Sequence, residues 1–226
     1  DVPAPQALLW KKPLGLLLYL LRSPRRTRSR EHLVGLLWPE VAESSARHSL
    51  NETLSKLRRT AGEDAVESSG DLVTLGPQFQ CDLDEFEAAM AKGDWAAASA
   101  LCAGELAEGL VVPGALEFDQ WLEVERRHWR GQGVLALSSW AERLLDQGRT
   151  RTAVDAAHRA LALDPLSDRA MQVVLRARLL LGDRRGALEA GREFVQRLTS
   201  ELGAEPAAET LALLAHAAPA ARDAER

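Results

Sequence analysis

The sequence predicts a mainly α-helical chain in two parts: a small head of three helices and a β-hairpin, then a longer body of helical repeats. Three observations predict it. Leu and Ala, both strong helix formers, dominate a composition that is 46% hydrophobic and only 5% aromatic. Charge is divided unevenly. Residues 1–60 hold eleven Lys/Arg against five Asp/Glu, a net +6, leaving −11 on the remainder of a chain whose total is −5. A glycine followed five residues later by an alanine recurs as Gly93/Ala98, Gly148/Ala153 and Gly182/Ala187. The last two copies are 34 residues apart, the tetratricopeptide period.

The bulk numbers bound the function. With 27% charged residues in 226, the chain is a soluble globular protein of one large or two ordinary domains rather than a disordered one. The longest apolar run, Leu14–Leu21, is too short to span a bilayer, and no secretory signal pattern precedes it. Cys81 and Cys102 suit neither a disulfide framework nor a zinc motif, so two reduced thiols in a cytoplasmic protein are expected, at least one of them buried. There is no GxxxxGK loop, HExxH, GxSxG elbow or GxGxxG after a strand. His32, His48, His128, His158 and His216 are never four residues apart, which disfavours a metal site on a helix face. The chain is read as a non-enzyme without cofactor or metal.

In the head, Asp1–Gln6 is a Pro-containing lead-in, and Leu14, Leu17, Leu18 and Leu21 share one face of a first helix that ends at Ser23-Pro24. Arg25–Arg28 is expected to form a basic loop. Ser29 caps a second helix, with Glu31 in its first turn, Leu33, Leu36 and Leu37 inward, and Trp38-Pro39 as its stop. Ser44-Ser45 offers the cap of a third helix of about four turns, whose apolar stripe is Ala46, Leu50, Leu54, Leu57 and Ala61 and whose end is Gly62.

The other side of that third helix is the informative one. Arg47, Asn51, Ser55 and Arg58 form an outward row, with His48, Glu52, Lys56 and Arg59 beside it. Arg can grip guanine and Asn can pair with adenine, each through two hydrogen bonds. Lys, Ser and further Arg suit phosphate oxygens, which fix register without reading sequence. A hairpin then follows, Ala65–Ser68 and Leu72–Leu75 around a turn at Ser69-Gly70-Asp71. Three helices and a hairpin are the order of a winged helix-turn-helix domain, whose third helix enters the major groove.

The body starts at Asp82-Leu83-Asp84. In its middle repeat Ala141, Ala153, Ala160 and Pro165 fall where a tetratricopeptide-like pair wants small residues and a terminating proline, with Trp140 and Leu144 at large apolar positions. Gly104–Gly133 is an inserted segment with a Leu110–Gly114 loop and a helix over Phe118–Trp129, in which Trp121 and Trp129 are read as packing residues. A capping helix runs from Ala207 to about Ala215, and 219–226 is a tail or linker. The expected domains are therefore a winged helix over 1–80 and an α-helical tetratricopeptide-like repeat domain over 81–218. Such repeats stack into a superhelix with a groove for peptides or partner domains.

These stretches resemble the Streptomyces antibiotic regulatory protein family, bacterial regulators in which a winged helix precedes a tetratricopeptide-like bacterial transcriptional activator domain. The resemblance rests on Ser29–Pro39, Ala46–Arg59 and Gly70–Leu75 in the head, and on Asp82–Phe86 and Glu201–Pro206 in the body. It implies an activator that binds double-stranded promoter DNA, often as two copies on direct repeats, and recruits RNA polymerase. It also implies that Arg47, His48, Asn51, Ser55 and Arg58 face the groove, that Thr27, Arg28 and Arg30 hold phosphate at the start of the second helix, and that Ser69 and Gly70 tip the wing. Members usually carry a small sheet ahead of the first helix; the 13 residues before Leu14 leave room for one strand at most. The competing reading is a tetratricopeptide-type interaction scaffold whose winged helix no longer binds DNA.

Overall fold

The structure is a computed structural model and describes residues 11–218. The lead-in, any strand ahead of the first helix, and the 219–226 tail lie outside the described residues. The chain forms two compact units, one of residues up to Asp84 together with Glu105–Arg126, the other of Glu85–Gly104 together with the residues from Arg127 onward.

In the first unit, α1 spans Lys11–Leu21 and so begins before Pro13, which its first turn tolerates. Its buried side is Leu16, Leu18, Tyr19 and Leu20; of the expected Leu14, Leu17, Leu18 and Leu21 only Leu18 is buried, and the other three are partly covered. A helix apolar all round gives spacing no face to select. A close approach selects it instead: a Cβ on Gly15 would lie 3.1 Å from both Phe118 and Val112.

Pro24–Arg26 is a tight turn with Arg25 and Arg26 at φ 54° and 53°, a left-handed backbone unusual outside glycine. It is held by the Arg26 guanidinium, which donates to Phe79 O at 2.9 Å and to Asp84 at 2.7 Å. The expected basic loop then turns out to include a strand, β1 (Thr27–Ser29). Three residues are too few to show a period, and what makes them a strand is pairing with residues over forty positions away.

Ser29 caps α2 (Arg30–Leu37) as expected, its hydroxyl accepting the His32 amide at 3.2 Å. Helix α3 (Glu43–Ala61) is longer than expected, about five turns, and starts at Ala42 with no side-chain cap. Ser44 and Ser45 sit exposed inside its first turn. A cap is worth only about 1 kcal/mol, and burial of Ala46, Leu50, Leu54 and Leu57 sets this helix. Strands β2 (Val66–Ser69) and β3 (Leu72–Leu75) form the hairpin across Gly70-Asp71. The sheet order is β1-β3-β2, with Thr27 opposite Thr74 and Ser69 opposite Leu72.

The core of this unit joins Leu16, Leu20, Leu33, Leu37, Leu50, Leu54 and Leu57 to Leu110, Val112, Phe118 and Leu122, which come from a segment much later in the chain. That segment is fastened internally. Arg126 donates to the carbonyls of Leu106 (3.0 Å), Ala107 (2.7 Å) and Leu110 (3.3 Å), and Asp119 accepts the Val112 amide at 3.1 Å.

The remaining helices are α4 (Asp82–Ala91), α5 (Trp95–Leu101), α6 (Leu116–Asp146), α7 (Thr150–Leu163), α8 (Asp168–Leu180), α9 (Arg184–Leu202) and α10 (Ala208–Ala217). The expected Phe118–Trp129 helix is thus part of a 31-residue one that runs straight through Gly131 and Gly133. Glycine inside a helix costs about 1 kcal/mol. Burial of Ala136, Leu137, Ala141 and Leu144 further along outweighs that cost.

The recurrent glycine has one job in all three copies. Gly93, Gly148 and Gly182 adopt φ of 66°, 73° and 76° just past a helix end. The next residue's amide reaches back five positions, Asp94 to Ala89, Arg149 to Leu144 and Asp183 to Arg178, while each glycine amide reaches back three. This is the Schellman closure, which satisfies two orphan carbonyls and needs a left-handed residue. In two copies the following Asp caps the new helix, Asp94 on Ala97 and Asp183 on Gly186. The Gly186 amide, ahead of Arg178, holds the Asp183 carboxyl below the usual carboxylate range. The alanines five residues on, Ala98, Ala153 and Ala187, are fully buried. No atom stands near a Cβ placed on Gly148, so Gly148→Ala should cost about 1–2 kcal/mol from backbone strain alone. Thermal unfolding would check it, with Gly148→Asn expected to lose less.

One core joins Ala141, Leu144, Ala153, Ala157, Val173, Val174, Leu175, Ala187 and Phe194. Helix α7 packs on α8, α8 on α9, and α10 on both α8 and α9. Asp168 secures α10 by accepting from the Ala207 amide and the Thr210 hydroxyl. Arg159 donates to the carbonyls of Ser99 and Cys102, tying α7 to the end of α5.

Candidate nucleic-acid interface

Helix α3 buries one stripe and leaves the opposite side to solvent, so its apolar spacing alone decides which side chains face outward. Arg47, His48, Asn51, Ser55 and Arg59 are exposed, and Lys56 is half-buried. Arg47 pairs with Glu43 one turn back, and His48 lies 3.6 Å from Glu52 one turn on. All four of these side chains are more than half exposed. An exposed pair one turn apart such as Arg47–Glu43 contributes roughly 0.3–0.5 kcal/mol, little resistance to a stronger anion.

Asn51 does not stand alone in its row. Its Oδ1 accepts from Arg30 Nη1 at 2.7 Å, and Arg30 Nη2 lies 3.3 Å from Ser68 Oγ. The same hydroxyl accepts from Arg58 Nη2 at 2.9 Å, and Arg58 Nε donates to Val66 O at 3.0 Å. Arg58 is therefore half-buried and turned back onto β2. The Arg30 backbone amide donates to Asp71 O at the hairpin turn at 2.7 Å. Together these bonds join the start of α2, the middle of α3 and the wing. Ser68 is the member of this cluster that sequence reasoning missed. A serine in a short strand carries no local signal, and only the hairpin brings it beside two arginines.

The residues expected to hold phosphate ahead of α2 are engaged within the protein. Thr27 Oγ1 lies 2.9 Å from Thr74 Oγ1 and donates to Arg25 O. The Arg28 guanidinium sits 5.6 Å over the Tyr19 ring, whose hydroxyl is 2.7 Å from His32 Nε2. Ser69 and Gly70 are exposed, at the end of β2 and in the turn that follows. Trp121 packs against Tyr19 and Phe118, and Trp129 against Phe86. Cys81 and Cys102 are free and only partly buried, and burial raises both thiols, away from the reactive thiolate. Among the described residues no three His, Cys, Asp or Glu side chains gather as a metal site, and no helix is long and apolar enough to cross a membrane.

The profile described as "Bacterial transcriptional activator domain" matches residues 78–216. The chain belongs to the bacterial transcriptional activator domain family. Transcriptional regulatory protein MoaR1 of Mycobacterium bovis (strain BCG / Pasteur 1173P2) is 26% identical, over 87% of this chain and 70% of that protein. MoaR1 of Mycobacterium tuberculosis (strain ATCC 25618 / H37Rv) is 25% identical over the same shares. The solved structure of Mycobacterium tuberculosis EmbR in complex with low affinity phosphopeptide superposes on 96% of this chain, with a TM-score of 0.70 and 24% identity. That likeness is one of fold, and the chain spans 60% of the length of the solved protein.

The activator-domain match begins just before α4 and ends within α10, so the head lies ahead of it. The chain is a transcriptional regulator of a non-enzymatic family.

Proposed function

We propose that this activator-domain protein reads promoter DNA by laying the outward side of α3 in the major groove, with Arg47 and Asn51 on base edges. His48, Ser55, Lys56 and Arg59 then lie toward the flanking backbone. Ser69 and Gly70 bring the wing to phosphate, and two copies occupy direct repeats. The observation that carries this is the Arg30–Asn51–Ser68–Arg58 bridge, which fixes α3 against the wing while Arg47, Asn51 and Ser55 stay exposed. Within it, Arg58 acts as the fastener of the wing and Thr27 and Arg28 as supports of β1. The helical body is the surface for RNA polymerase, and the protein works in the cytoplasm.

The test is fluorescence anisotropy with labelled duplexes at several salt concentrations. Log affinity should fall linearly with log salt as phosphates are neutralised. With a selected operator, Arg47→Ala and Asn51→Ala should each lower specific binding about 5- to 100-fold more than binding to random duplex. Equal losses on both would refute base reading by these residues. An absence of binding at low salt would favour a protein-interaction scaffold.

A further inference from the structure

We infer that Arg30 is a positioning residue that fixes the amide of Asn51 as a hydrogen-bond donor, so that this position selects guanine over adenine. The inference rests on the proposal that Asn51 meets a base edge. A guanidinium can only donate. The Asn51 atom 2.7 Å from Arg30 Nη1 must therefore be the carbonyl oxygen, whatever ambiguity usually attends an amide. Arg30 cannot easily turn away. Its backbone amide is bound to Asp71 O, and its other terminal nitrogen is directed at Ser68, which Arg58 holds in turn.

The consequence is chemical. Pairing with adenine through two bonds needs the asparagine oxygen to accept from N6 while the nitrogen donates to N7. Arg30 takes one of the two lone pairs of Oδ1 and sets a positive charge beside the other, which disfavours a second donor such as adenine N6 and leaves Nδ2 with its two hydrogens for the groove. Guanine offers acceptors at both N7 and O6, whereas adenine offers one acceptor and a donor. Arg30 thus works on specificity from beside the helix, without touching a base.

The experiment is a competition series in which every base pair of the selected operator is changed singly. It uses the full chain carrying Arg30→Met, Arg30→Lys, Asn51→Ala or the Arg30→Met/Asn51→Ala pair, each checked for helical content by circular dichroism. Arg30→Met keeps the stem but no donor, and should move the base pair that depends on Asn51 from guanine toward adenine by on the order of tenfold. Arg30→Lys, which still donates, should retain most of the guanine preference, and the double variant should show no preference there. A wild-type preference for adenine at that base pair would overturn the inference. So would Arg30→Met weakening all duplexes equally with a salt slope smaller by about one, the mark of a plain phosphate contact. If Asn51→Ala changes no base preference, the base-reading proposal itself fails, and that result is distinct from a failure of Arg30 alone.

Discussion

A chain ended at Asp84 is expected to lose the cooperative unfolding transition of its head, even though every residue of α1, α2, α3 and the hairpin is retained. The cut removes Leu110, Val112, Ala115, Phe118 and Leu122, all buried in the same core as Leu16, Leu20 and Leu37. It uncovers the side of α1 where Gly15 lets Val112 and Phe118 come close. The point variant isolates the effect. Phe118 is fully buried, and Phe118→Ala should cost about 3–5 kcal/mol. Leu116→Ala, two residues away at a side chain 70% exposed, should stay within about 0.5 kcal/mol of wild type. Urea denaturation followed by circular dichroism separates the two. A Phe118→Ala midpoint matching that of Leu116→Ala would mean the segment merely lies against the head.

The second large effect is expected at Phe194 in α9. Its side chain is 1% exposed and is the bulkiest member of a core otherwise made largely of alanines and β-branched residues. The alanines of α7 allow close helix approach but supply little apolar area, so the large side chains opposite carry most of the burial. Phe194→Ala should destabilise the repeat unit by about 3–5 kcal/mol. Ala153→Leu, the opposite error, should cost about 1–3 kcal/mol by overpacking the same layer. Thermal unfolding of each full-length variant tests both. A Phe194→Ala protein that melts with wild type would show that α9 is replaceable in this core.

Much of the candidate interface was legible because α3 is amphipathic. Ala46, Leu50, Leu54 and Leu57 define the inward stripe by spacing, and Arg47, Asn51 and Ser55 then face outward by subtraction. The repeat turns were legible because glycine alone adopts the left-handed conformation they need without steric cost, so the backbone requirement is written in the residue itself. Strand β1 left no trace in a short window, because its identity comes from β3. The tasks of Arg28 and Arg58 were hidden for a related reason. From sequence Arg28 reads as a phosphate contact and Arg58 as a groove-facing residue, and only the fold shows Tyr19 beside the one and Ser68 beside the other.

The sequence by itself determined the helical class, the order of head and body, the inward stripe of α3 and the glycine-closed repeat turns. Each of these depends on periodicity or on one residue's own backbone preference, both local properties. Tertiary structure alone decided which side of α1 is buried, that Glu105–Arg126 completes the head's core, that α6 continues through two glycines, and that Arg30 holds Asn51. These are settled by contacts between residues from about twenty to a hundred positions apart. The burial and hydrogen bonds such contacts supply exceed the few tenths of a kcal/mol by which local propensities differ.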